Sequence, residues 1–322
     1  MNLSRERLLV EAAATGFRAE VLEKVIRLLA LLEGLRSHPF LKGRFALKGG
    51  TAINLFVFDV PRLSVDIDLN YIGAVERDRM LAEKPKVEAA VRAVCEREGL
   101  VIRRTPLEHA GGKWSLRYRS PLGQGGDLEL DLNFMLRMPL WPIMARDSQV
   151  IGSYQAKGIP VLNEHELAAG KLAALFARHV CRDLFDVNHL LSRGGFNRDR
   201  LRLAFVIYGA INRKDWRTVS TADADFEASE LRNLLISLLR QDVQGRIETS
   251  PNWVECLVEE CRARLEIVLP LEDHELEFLN RLLDHGEIEP SVLTKDSEMI
   301  ERIRSHPGLK WKALNVKQFK GR

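Results

Sequence analysis

Two short stretches of the chain alternate apolar and polar side chains almost without fault, and both are acidic on the polar side. Residues 63–71 read Leu-Ser-Val-Asp-Ile-Asp-Leu-Asn-Tyr, and residues 127–134 read Asp-Leu-Glu-Leu-Asp-Leu-Asn-Phe. A period of two belongs to a strand, whose successive side chains point to opposite faces. Ser64, Asp66, Asp68 and Asn70 therefore share one face, as do Asp127, Glu129, Asp131 and Asn133, while leucines and aromatics form the other. Aspartate is disfavoured in strands, so two such strands demand a sheet packed on one side and left polar on the other. Were they neighbours in that sheet, Asp131 would lie beside Asp66 and Asp68.

What precedes the first strand sharpens the chemistry. Residues 44–48 read as a short strand, Gly49-Gly50 as a tight turn, and Thr51 as the N-cap of a helix over 52–58 that Asp59-Val60-Pro61 ends. Backbone N–H groups at such a turn favour phosphate, and glycine lets a phosphate come close. Asp66 and Asp68 lie about 6.5–7 Å apart along their strand. Their mutual repulsion is relieved by a divalent cation, and Mg²⁺ is commonly held by one or two carboxylates together with substrate phosphates. A third carboxylate from 127–134 makes a two-metal site for in-line displacement at phosphorus. Each feature alone has an ordinary reading: Asp-x-Asp as a solvent face, Gly-Gly as a turn, 127–134 as a half-exposed edge strand.

The remaining pattern divides the chain. Helices are expected over residues 4–36, broken near Gly16, with Val21, Val25, Leu28, Leu29 and Leu32 as the apolar stripe of the second. Pro85 opens a helix to about Glu98, strands follow near 101–105 and 113–119, and 138–160 looks irregular. From Asn163 the chain is helical: Asn163 and Glu166 have capping-box spacing, and helices read over 164–179, 183–192, 198–209, 229–243, 253–267 and 272–283. The expected class is α+β, a mixed-sheet core over residues 1–160 followed by a helical domain over 161–322. Within the latter, Lys171 and Arg178 share a helix face, and Asp183 and Asp186 share a face of the next helix. A lysine and an arginine can hold a triphosphate, and an aspartate can lock the lysine in place; the plain alternative is a pair of ion bridges between helices.

Composition narrows the class. At 46% hydrophobic and 29% charged, the 322 residues suit a folded protein with an ample core. No apolar run is long enough to span a membrane, and the N-terminus lacks a signal peptide's apolar centre. Cys95, Cys181, Cys256 and Cys261 show neither CxxC spacing nor nearby paired histidines, which fits a reducing cytoplasm rather than zinc or disulfides. The net charge of +3 conceals blocks: residues 222–299 are acidic, while the first 221 residues and the tail from 301 are basic. Basic blocks suit a phosphate-rich partner; they also suit solvated helix faces.

Lys48-Gly49-Gly50-Thr51-Ala52-Ile53-Asn54-Leu55, followed by Arg62-Leu63-Ser64-Val65-Asp66-Ile67-Asp68-Leu69, resembles the nucleotidyltransferase toxins of the AbiEii/MenT family. Lys171 with Arg182-Asp183-Leu184-Phe185-Asp186 resembles that family's later motif. The resemblance runs from about Phe40 to Leu191. It implies a polymerase-β-like nucleotidyltransferase core, an NTP substrate, Mg²⁺ or Mn²⁺, a cognate antitoxin of the type IV kind, and an RNA acceptor, in known cases the tRNA 3′ end, with arrested translation as the outcome. It implies that Gly50 and Thr51 hold NTP phosphates, that Asp66 and Asp68 bind metal, and that Lys171 and Asp186 complete the site; Lys48 and Gly49 are taken as nucleotide-binding with that turn. Asp131 is preferred over Glu129 as the third carboxylate, Ser64 lies on the nucleotide face, and Arg178 joins Lys171 at the triphosphate.

Two other readings stand beside nucleotide transfer: a non-catalytic module that grips RNA or a partner, and a sugar-nucleotide transferase, which also uses Asp-x-Asp. Two regulatory or binding features are expected besides. Phosphate on Ser64 would compete for the cation and repel the triphosphate. The tail residues Lys310, Lys312, Lys317, Lys320 and Arg322, interleaved with Trp311 and Phe319, either meet RNA or dock on the body.

Overall fold

Both acidic stretches become strands of one sheet. The computed structural model describes residues 3–106, 110–227 and 231–320, and the chain divides into two units. The first comprises Met1–Arg137, Pro142–Leu162 and Arg232–Ser250; the second comprises Met138–Trp141, Asn163–Leu231 and Pro251–Arg322.

In the first unit, α1 (Arg5–Thr15) is capped by the Ser4 hydroxyl and stopped by Gly16 in the left-handed region; α2 (Ala19–Ser37) follows. Then come β1 (Phe45–Lys48), α3 (Gly49–Ala52) running into a π turn at Ile53–Val57, β2 (Asp66–Tyr71), α4 (Arg77–Arg97), β3 (Val101–Arg104), β4 (Gly111–Tyr118), β5 (Gly126–Asn133), β6 (Met144–Arg146) and β7 (Ile159–Val161). The sheet order is β3-β4-β5-β2-β1-β7-β6; β2/β5 and β1/β7 are parallel and the other pairs antiparallel. Ile67, Leu69, Tyr71, Trp114, Leu116, Leu128, Leu130 and Leu132 are buried, and α2 and α4 pack in this layer. Burial on α2 is wider than the expected stripe, taking in Leu22, Ile26, Leu31 and Leu35, because the helix meets α1, α4 and the sheet together.

Several expectations change. The helix expected to open at Pro85 starts eight residues earlier, with Pro85 inside it. Its first turns carry Arg77, Asp78, Arg79 and Glu83 around a single buried Met80, so no apolar period announced them. The stretch 138–160 holds β6 and β7, each only three residues long and too short to show alternation.

In the second unit, α6 (Cys181–Arg193) and α7 (Arg198–Ile211) both pack against α5 (Glu164–Arg178), and Phe176 meets Phe205 and Trp216 edge-on. Asn163 does cap α5, accepting from the His165 N–H, but Glu166 does not close a capping box. Its carboxylate, 1% exposed, accepts the Leu140 and Trp141 N–H groups and the Tyr208 hydroxyl.

The helix expected over 229–243 breaks into α8 (Leu231–Leu234), a 3₁₀ turn at Ile236–Leu238 and α9 (Gln241–Glu248); the start of that range, 229–230, lies outside the described residues. A single boundary at 160 has no place for this return to the first unit, where the Leu63 N–H donates to Leu238 O at 2.8 Å and the Gln241 N–H to Gly16 O at 2.9 Å. Helices α10 (Trp253–Arg264), α11 (Asp273–Asn280), α12 (Ser297–Ser305) and α13 (Pro307–Lys320) complete the second unit. Arg202 and Glu275 form a buried ion pair linking α7 to α11 at 2.5 Å. The basic tail is α13, seated through buried Leu309 and Ala313, with Lys312 donating to Asn212 O at 2.6 Å. Trp311 is 41% exposed and is not the anchor. The expectations for the Phe319 and Lys320 side chains and for Arg322 lie outside the described residues.

Candidate active site

Strand pairing assembles one row of charge across the polar face of the sheet. Lys48 on β1 is opposite Asp68 on β2, Asp68 is opposite Asp131 on β5, and Asp131 is opposite Lys113 on β4. Two carboxylates on adjacent strands thus stand between two ammonium groups. One step along, Asp66 faces Glu129, which faces Ser115. Neighbouring strands are about 4.8 Å apart, so Asp68 is closer in backbone to Asp131 than to Asp66.

The two acidic residues of β5 are in different situations. Glu129 is half-exposed and accepts from Lys113 Nζ at 2.6 Å. That hydrogen bond is the main cause that raises the Lys113 pKa, with the nearby Asp66 and Asp131 charges adding to it. The Asp131 carboxyl is also held above its usual range, first by burial and then by the Asp68 charge, against the opposing pull of Lys48 and Lys113. Glu129 thus has a direct hydrogen-bonded cationic partner, whereas Asp131 is buried beside Asp68 with Lys48 and Lys113 only partly offsetting the cost of its charge.

The turn beside this row is shaped by its glycines. Gly49 has φ +72°, and a Cβ there would come within 2.1 Å of the Asp68 carboxylate, so the backbone lies directly against that side chain. A Cβ on Gly50 would come within 2.9 Å of Ser64 Oγ and 3.1 Å of the Arg62 guanidinium, both buried. Thr51 is not the N-cap. The helix begins at Gly49, Lys48 occupies the cap position, and the Thr51 hydroxyl donates to Asp66 O at 2.5 Å, tying the turn to the first residue of β2. Asn54 Nδ2 holds Gly50 O at 3.0 Å. Ser64 lies just before β2 rather than within it, its hydroxyl toward Gly50.

A second set of predicted residues gathers in the second unit. Lys171 Nζ is 2.8 Å from Asp183 Oδ1 and 2.7 Å from Asp186 Oδ2, with all three side chains buried. Arg178 also binds Asp183, at 2.9 Å, from a largely exposed position. The helix spacings put these partners where the sequence places them: α5 brings the two cations, the first turns of α6 the two anions. The structure therefore brings Lys48, Gly49, Gly50, Thr51, Ser64, Asp66, Asp68 and Asp131 together in one unit, and Lys171, Arg178 and Asp186 together in the other.

Lys113 was given no role from the sequence, and Arg62 and Asn70 were named there only as a motif residue and as part of the polar face. Lys113 was legible: the glycine-rich turn 119–125 sets the β4–β5 hairpin register that puts it opposite Asp131. Arg62 gives no pattern; it is 2% exposed and donates to Leu63 O at 2.9 Å. Asn70 continues the polar face beyond Asp68, and its side-chain oxygen is buried with no hydrogen-bond partner among the described residues.

Among the described residues no three His, Cys, Asp or Glu side chains converge as a ready ligand set. The donor set nevertheless fits a hard cation shared with a substrate: two oxygen-donor carboxylates in register, one destabilised by the other, beside a turn with little side-chain bulk. Among the described residues no helix is long and apolar enough to cross a membrane.

Residues 30–257 match the family model described as nucleotidyl transferase AbiEii toxin, type IV toxin–antitoxin system. Among solved structures, MenT4, a nucleotidyltransferase toxin from Mycobacterium tuberculosis H37Rv, is similar with a TM-score of 0.61 over 96% of this chain and 99% of that one. At 18% identity, that likeness is one of fold. No curated protein matches the chain.

Proposed function

The chain belongs to the AbiEii family of nucleotidyltransferase toxins of type IV toxin–antitoxin systems, and on that premise we propose that it transfers a nucleoside monophosphate from an NTP to the 3′ end of an RNA, a tRNA in the first instance, and so blocks translation. It would act in the cytoplasm and be restrained by a cognate antitoxin. The observation that carries the reading is the in-register pair Asp68 and Asp131 beside the Gly49 turn.

In this reading Asp66, Asp68 and Asp131 would hold Mg²⁺ or Mn²⁺, which when bound would supply positive charge against the triphosphate. The Gly49–Gly50 backbone receives phosphate where side chains would obstruct it, Thr51 keeps that turn fixed to Asp66, and Ser64 and Lys48 border it. The RNA hydroxyl attacks the α-phosphorus, the bond to the bridging oxygen of the β-phosphate breaks, and pyrophosphate leaves. Asp131, opposite Asp68 across β2 and β5, would take the hydroxyl proton. For Lys171, Arg178 and Asp186 the support is the family motif; within their own unit Asp183 and Asp186 orient the Lys171 ammonium.

Incubating the protein with each α-labelled NTP, total RNA and Mg²⁺ tests the proposal. Label in RNA with release of pyrophosphate is expected. Label confined to protein or sugar, or none with any NTP, would overturn it.

A further inference from the structure

At the β3 edge of the sheet lies an open groove of ≈ 1180 Å³ lined by Arg27, Arg97, Arg103, Arg117 and Arg119, against a single carboxylate, Glu98. The arginines come from four separate places: α2, the end of α4, β3, and the β4–β5 hairpin. They differ in what they already hold. Arg27 is committed, bound to Glu23 and Arg119 O, each at 2.8 Å, and stacked on Tyr118 at 4.3 Å. Arg117 meets Asp127 at 3.2 Å and Arg97 meets Glu98 at 3.6 Å, both with exposed side chains. Arg103 and Arg119 are exposed, and no carboxylate pairs with either among the described residues.

The groove joins the candidate active site along one strand. Lys113 is the cross-strand neighbour of Asp131. Arg117 is four residues further on β4, on the same face and roughly 13 Å away, with Val101 opposite it. The hairpin leaves that side chain its place: a Cβ on Gly125 would come within 3.0 Å of the Arg117 guanidinium. Lys113 and Arg117 thus lead from the carboxylate pair to the groove, each paired with a carboxylate of β5, Glu129 and Asp127, and the arginine charge without a carboxylate partner among the described residues is reached at Arg103 and Arg119.

We propose that this arginine groove binds the sugar-phosphate backbone of the RNA acceptor and directs its 3′ end along β4 to Asp68 and Asp131. The inference rests on the nucleotide-transfer reading and adds where the acceptor lies. Nucleic-acid interfaces are strongly positive, and guanidinium planes both pair with phosphate and stack on bases. A protein partner would call for an apolar centre, and Val101 is the one large apolar side chain lining the groove that is exposed.

The test compares the wild type with Arg103→Gln/Arg119→Gln and Arg103→Lys/Arg119→Lys, using fluorescently labelled total tRNA for binding and labelled NTP for transfer, with circular dichroism to verify folding. Each phosphate contact contributes roughly 0.7–0.9 to the slope of log affinity against log salt. The glutamine variant is expected to lower that slope by roughly 1.4–1.8 and to raise KM for RNA at least about tenfold. KM for NTP should stay unchanged, and the lysine variant should keep most of the slope. An unchanged slope and KM for RNA in a transferring enzyme would overturn the groove while leaving nucleotide transfer intact. Loss of binding to an acidic protein with tRNA binding unaltered would also overturn it. If the wild type transfers nothing to RNA yet the slope falls as expected, the groove is upheld as an RNA site and the transfer reading fails instead.

Discussion

Asp68 and Asp131 stand directly opposite each other across the parallel β2–β5 pair, with Lys48 and Lys113 as their outer neighbours. The pair is costly in the free protein, because burial and the Asp68 charge both oppose ionisation of Asp131. The raised pKa means that the folded chain holds this proton more tightly than the unfolded chain, so stability falls as pH rises through that titration. Asp131→Asn should therefore abolish transfer while stabilising the protein by about 0.5–2 kcal/mol at neutral pH. Urea denaturation at pH 7 measures this, and a clear loss of stability would contradict it.

Gly49→Ala should inactivate without unfolding. The added methyl meets the Asp68 carboxylate and forces a left-handed φ on alanine, at a cost of roughly 1–2 kcal/mol. A melting curve lowered by a few degrees together with near-complete loss of transfer is expected. Undiminished transfer would show that the Asp68 position is not critical.

The Lys171 cluster carries a stability prediction separate from its proposed role. Removing one member of a buried, paired set leaves an uncompensated charge, at a cost of about 3–5 kcal/mol. Lys171→Ala should destabilise by that amount, and adding Asp186→Asn should recover part of it. In the protein that remains folded, the apparent KM for NTP should rise more than RNA affinity falls. An effect on RNA affinity alone would place Lys171 with the acceptor.

Glu166 supplies a pH signature. Burial outweighs its three hydrogen bonds and pushes its carboxyl up to about 7 from the usual 4.5. Between those values the unfolded chain ionises while the folded one keeps its proton. Stability thus falls by about 3 kcal/mol as pH rises from 4.5 to 7 and levels off above. Glu166→Gln should remove that slope, as thermal unfolding across this range would reveal. A parallel slope in the variant would assign it to other groups.

Much of the first unit was legible because its signals are local. Alternation located β2 and β5, and Lys48-Gly49-Gly50 located the turn. What was hidden depends on pairing between distant segments. The parallel register that puts Asp68 opposite Asp131, rather than Glu129, follows from how β2 and β5 meet, not from either strand alone. Thr51 looked like a cap because hydroxyls favour helix starts, but Gly49 already opens that helix, and the hydroxyl is used on Asp66 O. Glu166 had capping-box spacing, yet its carboxylate serves a segment more than twenty residues earlier. The arginine groove was invisible since its residues are spread from Arg27 to Arg119, and the return of 232–250 was masked by short turns that read as one helix.

The central claim is that the carboxylate pair on β2 and β5 performs nucleotide transfer. Its most direct measurement is incorporation of α-labelled NTP into RNA by folded Asp68→Asn beside the wild type, at saturating Mg²⁺. The substitution keeps the volume against Gly49 and removes only the charge. Several kcal/mol of transition-state stabilisation are at stake, so incorporation should drop roughly 100-fold or more. Incorporation by Asp68→Asn equal to the wild type would contradict the assignment.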